Sequence, residues 1–331
     1  VSVLTSRNSA PAADSSSGRS PRPSPGRSPV QRRTTRGLGD RVFCRVTLGA
    51  GLLIVAALVG VAVFLVWQAY PAFIADPAEV KGGAGFWAYV VPLVAGTVIA
   101  AAIALVIATP VSVGIALFIS HFAPRRMASF LGYLVDLLAA VPSVVYGLWG
   151  WLWLSGHIRP LFEILSHYLG WLPFFAGPAS ATGRTMLTAG IVLAVMILPI
   201  ITSLSREVFL QAPRLNEEAA LALGATRWEM VRLVVLPFGR SGVISAAMLG
   251  LGRALGETMA IAMVLSPGVL TASLVKSGNQ TIAAEIAQNF PEAAGLGLST
   301  LIAAGLVLFA ITLIVNVAAR AIIARQPMRV R

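Results

Sequence analysis

The stretch EEAALALGATRWEMVRLVVLP, residues 217–237, decides how the chain is read. It is the one well-mixed charged and apolar segment in a chain that is otherwise mostly hydrocarbon. Just before it, Pro213 suits the first turn of a helix, where its missing N–H costs nothing. Arg214 lies three and four residues before Glu217 and Glu218, the spacing of ion pairs on one helix face. Gly224 stops that helix, because only glycine takes the left-handed C′ position cheaply. Thr226 followed by Glu229 is a capping box and starts a second helix. Trp228, Val231 and Val235 share one face of it, and Pro237 ends it by disfavouring helix at Leu236. The stretch predicts helix, turn, helix between two apolar spans. A structured hairpin at a membrane surface needs something to dock on.

Composition agrees with the membrane setting. The 331 residues are 57% hydrophobic and 11% charged, with mean hydropathy +0.82. A soluble domain carries about 25% charged residues. The net charge of +12 does not imply nucleic acid, because the basic residues sit in a tail and in short loops. That is the pattern of orientation signals and of contact with anionic lipid. Cys44 is alone, which excludes an intrachain disulfide. His121, His157 and His167 have no ligand-like spacing with acidic residues, so no metal is assigned.

Outward from the hairpin, the chain reads as an all-α integral membrane protein with six transmembrane helices. Residues 1–40 are rich in Ser, Pro, Arg and Gly and form a disordered basic cytoplasmic tail. The first transmembrane helix, at 46–67, and a periplasmic loop fill residues 41–89. Residues 90–122 are too long for one straight crossing, so a kink is expected at Pro110. The third span, 130–155, is interrupted at Pro142 and Gly147. An outside loop follows over 156–184, with an amphipathic part at 161–171. The fourth span is 186–204, the fifth 242–265 and the sixth 296–323, with a second outside loop at 267–293.

Charge sets the orientation. Arg125, Arg126, Arg206, Arg214, Arg227, Arg232, Arg240 and the Arg320–Arg331 tail fall on one face with the basic N-terminus. Lys81, Arg159, Arg184 and Lys276 fall on the other. The first face is expected to be cytoplasmic, in the inner or plasma membrane, with both termini inside. The hairpin then lies where a cytoplasmic ATPase reaches it.

Glu218-Ala219-Ala220, then Gly224, then Val234-Val235-Leu236-Pro237 resembles the EAA motif of ABC-importer permeases, with Val234 where Ile is usual. Ala140-Val141-Pro142-Ser143-Val144-Val145-Tyr146-Gly147-Leu148 and Gly252-Arg253-Ala254-Leu255-Gly256-Glu257-Thr258-Met259-Ala260 resemble the phosphate-importer permeases of the PstC and PstA types. The leading tail and the first span favour PstC. The resemblance covers about residues 40–325 and implies the type I ABC-importer permease fold, with residues 90–325 as the permease domain. It implies that hairpin 213–237 couples to an ATPase through Glu217, Glu218, Ala219, Ala220, Gly224 and Arg227. It also implies a PstA-like second permease, a PstB-like ATPase dimer that carries the MgATP, and an extracytoplasmic PstS-like phosphate-binding protein. No cofactor is expected on this chain.

Arg253 and Glu257 lie about halfway through the fifth span. A central arginine costs roughly 2.5–3.5 kcal/mol by insertion scales and must face the protein interior. Spaced by four, the two share a helix face and can pair. They are either a pathway site for an oxyanion or a buried structural ion pair, and the resemblance to anion importers favours the pathway. Asp136 is a second partner for Arg253 or reaches the interface. Ser143 and Tyr146 follow the Pro142 break and can line a polar path. Small residues at Gly242, Ala246, Gly250 and Ala254, and at Gly252 and Gly256, mark a close-packing face for a partner helix.

Neither lysine follows a glycine, so there is no P-loop lysine, and there is no GxSxG or HExxH. The chain itself is expected to be non-catalytic, and active transport must draw on another chain. A secondary anion transporter would suit the intramembrane charges but leave the hairpin without purpose. A permease for sulfate or another oxyanion differs only through the family wording.

Overall fold

The computed structural model describes residues 38–266 and 271–324. The expected tail lies almost wholly outside them, as do the basic residues after Ala324. The chain divides into two compact units, Val1–Ala57 and Leu58–Arg331. What is described of the first is the opening of helix α1 (Leu38–Ile74), exposed on all sides from Val42 onward. Every regular element among the described residues is helical.

Beside single 3₁₀ turns at Pro77–Glu79, Pro173–Phe175 and Phe290–Glu292, the second unit among the described residues continues α1 and adds ten longer helices. They are α2 (Phe86–Phe122), α3 (Arg125–Ala139), α4 (Ser143–His157), α5 (Arg159–Leu169), α6 (Met186–Leu210) and α7 (Arg214–Ala222). Then come α8 (Arg227–Leu255), α9 (Met259–Val264), α10 (Ile282–Asn289) and α11 (Leu296–Ala324). Five of these helices, α1, α2, α6, α8 and α11, are long and apolar enough to cross a membrane. The expected third span is the pair α3 and α4, bent by 90°. Counted as one broken span, it completes the six.

Lipid tails are as apolar as leucine, so helices in a bilayer associate by close packing of small residues. The α2–α6 contact is built this way. Ala100, Ala104 and Ala108 recur every four residues on α2 and are buried against α6. A Cβ on Gly190 of α6 would fall 2.5 Å from Ile103 Cγ2. The small-residue face of the fifth span also packs here, within the same chain. A Cβ on Gly242 would meet Val208 and one on Gly250 would meet Ile201, at 2.5 and 2.9 Å. Helix α6 is thus the central helix, apolar and mostly buried along its length.

Three proline expectations resolve differently. Helix α2 runs through Pro92 and Pro110 and ends in a wider π turn, Phe118–Phe122. The chain does break at Pro142, but Gly147 interrupts nothing and sits buried inside α4. Pro237 does not end its helix. A π turn at Val231–Val235 precedes it, and helix continues from Arg227 to Leu255. The i→i+5 turn shifts the hydrogen-bond register just before the residue that has no N–H to give.

At the end of the bundle away from the hairpin, Lys81 Nζ donates to Glu285 Oε1 at 2.8 Å and to Asn289 Oδ1 at 3.0 Å. Tyr89 also donates to Glu285, at 2.9 Å. This network ties the segment before α2 to α10. In the expected amphipathic stretch, α5 buries Phe162 and leaves Ile164 and Tyr168 exposed.

Candidate functional site

The segments 140–148 and 252–260 both hold a helix break, and the structure brings them together. Ala140 to Pro142 separate α3 from α4, and Pro142 enters α4 with extended backbone. Gly256 to Thr258 separate α8 from α9. The two short helices after the breaks pack face to face. A Cβ on Gly147 would lie 2.7 Å from Ala260 Cα, and one on Gly150 would lie 2.5 Å from Val192 and 3.0 Å from Val264. These glycines let α4 lie against α9 and α6. They are not breakers.

The α8–α9 break changes the expected relation of Arg253 and Glu257. Spacing by four puts two residues on one face only if the helix is continuous. Here α8 ends at Leu255, and no ion pair joins the two among the described residues. Glu257 is 8% exposed and its Oε1 accepts the Ala260 N–H at 3.2 Å. It satisfies one of the orphan donors of the first turn of α9. Arg253 is exposed and lines a cavity of about 650 Å³ between α6, α8 and α11.

Tyr146 donates to Leu138 O at 2.8 Å, a carbonyl in the last turn of α3 that also accepts the Val141 N–H at 3.3 Å. It stands within electrostatic reach of Arg253. Ser143 is half-buried at the start of α4. Asp136 is not a partner of Arg253. It is exposed and lines a separate cavity of about 420 Å³ with Arg125, Arg206 and Tyr133.

Three further residues contribute that the sequence does not single out for the site. Arg184, just ahead of α6, caps the far end of α9. Its Nη2 donates to Met263 O at 3.0 Å and to Leu265 O at 2.7 Å. Its guanidinium lies 5.9 Å from the centre of the Trp151 ring. The partner carbonyls are about 80 positions later, so no local pattern announces them. Asn316 and Arg320 of α11 share the cavity of Arg253. In the sequence Arg320 reads only as a basic residue of the C-terminal tail.

The hairpin forms as its local chemistry dictates. Pro213 precedes α7 as its N-cap. Gly224 takes φ +89°, with Gly224 N–H donating to Leu221 O and Ala225 N–H to Ala220 O. That pair of bonds is the Schellman ending. Thr226 and Glu229 complete both halves of the capping box. Met230, Val231 and Val235 are buried against Ala116, Leu117 and Phe209, which fixes the hairpin to the ends of α2 and α6. Trp228, expected on the same face, is exposed. Arg214 makes no ion pair with Glu217 or Glu218 among the described residues. Glu217 turns inward instead, its Oε1 3.5 Å from His121 Nε2, and Ala220 is half-buried beside it. Glu218, Ala219, Gly224 and Arg227 face outward, alongside Leu215, 79% exposed, and Leu223, 90% exposed.

Residues 108–326 match the family described as binding-protein-dependent transport system inner membrane component. The phosphate transport system permease protein PstC 2 of Mycobacterium tuberculosis (strain ATCC 25618 / H37Rv) is 48% identical over 299 residues, 86% of this chain and 91% of that protein. PstC of Mesorhizobium japonicum is 39% identical over 309 residues, 88% of this chain and 92% of that one. Among solved structures, a chain of the bacterial alginate ABC transporter, crystallised with an alginate pentasaccharide-bound periplasmic protein, aligns with TM-score 0.57 at 15% identity. It covers 85% of this chain and 93% of that one. A chain of the inward-facing MetNI methionine ABC transporter aligns with TM-score 0.50 at 19% identity, covering 76% and 98%.

Proposed function

The chain belongs to the binding-protein-dependent transport system inner membrane component family and, within it, to the PstC phosphate permeases, and from this we propose that it forms half of the translocation pathway of an ATP-driven phosphate importer. The cavity at Arg253 carries the proposal. Its polar side chains are Ser245, Arg253, Asn316 and Arg320, with no carboxylate among its lining residues. Such a lining favours an anion with hydrogen-bond acceptors on all sides. Guanidinium groups match phosphate oxygens in pairs. Glu257 is engaged at the first turn of α9 and does not line the cavity.

The chain supplies no nucleotide site in this reading and is not itself a catalyst. MgATP sits on a PstB-like ATPase dimer that docks on the outward face of the hairpin. Leu215, Leu223 and Trp228 give that face apolar contact, and Glu218 and Arg227 give it charge. A PstA-like permease completes the pathway, and a PstS-like binding protein delivers phosphate from the opposite side. The hairpin face is cytoplasmic by its arginines, which also meet anionic lipid. The exposed Leu223 argues against a transporter that works without such a partner.

Reconstituted vesicles holding the full complex test this reading. They should take up labelled phosphate on ATP and loaded binding protein, with sulfate a weak competitor. Equal uptake of sulfate would overturn the substrate assignment.

A further inference from the structure

We infer that Arg320, with Asn316 one turn before it on α11, is a second anion-holding station, to which the ion passes from Arg253 before release toward the hairpin side. The inference rests on the proposed phosphate import.

Arg253 and Arg320 come from different helices, α8 and α11, and line one cavity of about 650 Å³. A water molecule occupies about 30 Å³ of liquid, so a tetrahedral oxyanion fits there with several waters. Asn316 adds an amide, while the Ser245 hydroxyl on the same lining donates to Ser241 O at 2.9 Å. No salt bridge to Arg320 occurs among the described residues. Its charge is therefore available to the cavity.

The direction follows from the chain. Helix α8 leaves the hairpin and reaches Arg253 only in its last turn. Ser245, eight residues earlier, lies about 12 Å back toward the hairpin at 1.5 Å per residue. Helix α11 returns from the opposite end and carries Arg320 near its own C-terminal end. The cavity thus extends from Arg253 toward the hairpin side, with Arg320 at its inner part.

A second charge answers a physical difficulty. One deep arginine that binds an anion well also holds it. Transport needs sites that are favourable enough to enter and numerous enough to leave. A shared ion between two guanidinium groups exits in steps. The competing role is a snorkelling arginine that anchors α11 to lipid headgroups.

The test uses the reconstituted complex and varies loaded binding protein. Arg320→Gln should lower maximal uptake at least about tenfold while half-saturation and assembly stay near wild type, because the station acts after delivery. Arg320→Lys should keep much of the rate. In a Cys44→Ser background, Arg320→Cys should be slow, and aminoethyl methanethiosulfonate, which restores a positive charge, should raise it. The neutral methyl reagent should not. Wild-type maximal uptake in Arg320→Gln, equal rescue by both reagents, or loss of assembly in both the Gln and Lys variants would overturn the station. If wild-type vesicles import sulfate in place of phosphate, the substrate reading fails. The variant-to-wild-type ratio measured with sulfate still decides Arg320.

Discussion

Arg253 and Glu257 are four residues apart and stand on opposite sides of a helix break, so the base opens on a cavity while the acid caps the next helix. The break, not the spacing, sets their roles. An uninterrupted helix would have put the two on one face, within reach of each other.

Glu257 should then act through α9. Glu257→Gln keeps an oxygen that accepts the Ala260 N–H and should leave the complex as stable as wild type. Glu257→Leu removes the acceptor and should cost about 0.5–2 kcal/mol, the usual loss on removing a cap. Thermal unfolding of the purified complex reads the difference. Equal loss in both variants would show that the charge, not the cap, matters.

The contact of Gly147 with Ala260 predicts an unusually costly alanine. The atom in the way is backbone, which cannot swing aside. Gly147→Ala should force α4 and α9 apart, at about 1–3 kcal/mol for overpacking, and lower the yield of assembled complex. Gly114→Ala, with nothing within 4 Å of the new methyl, should have no such effect. Equal yields would remove the packing role.

At the hairpin, the strain of a substitution at Gly224 is conformational, since the site has open space around it. Gly224→Val should cost about 1–2 kcal/mol for the left-handed backbone and misplace the turn. Leu223→Asp and Glu218→Lys change only the outward face. All three should weaken ATPase docking and lower ATP hydrolysis stimulated by binding protein, while the permease still inserts. Full stimulation in all three would exclude coupling through this face.

How much of this the sequence disclosed depends on how local the chemistry is. Thr226, Glu229 and Gly224 bond within five residues of themselves, so the helix–turn–helix and its caps are legible in the sequence, while the exposure of Trp228 and the lack of an Arg214 ion pair among the described residues are not. Pro142 marked its break for the same reason. The π turn before Pro237 was hidden, because a proline in a helix looks the same whether the turn before it widens or stops. Gly147 looked like a breaker, and only the presence of Ala260 across from it shows packing. Arg184 bonds carbonyls far along the chain, and Arg320 shares a cavity with residues of α8, where no spacing rule reaches. Glu217 was grouped with Glu218 by motif, yet the folded hairpin turns one toward His121 and the other outward.

Orientation has its own check. A single cysteine in the Cys44→Ser background at Trp171, which is 78% exposed, should react with an impermeant thiol reagent added outside intact cells. One at Leu223, on the hairpin turn, should react only after the membrane is opened. The reverse pattern would invert the assigned sidedness.

The most direct measurement compares labelled phosphate uptake and stimulated ATP hydrolysis on the same vesicles. The samples are wild type, Arg253→Gln, and Arg253→Gln with Glu257→Gln. If Arg253 serves the anion, the single variant keeps its ATPase and loses uptake by about a hundredfold or more. The double variant is then no better, because the two residues were never a pair. Restored uptake in the double variant, or normal uptake in the single one, would contradict the account.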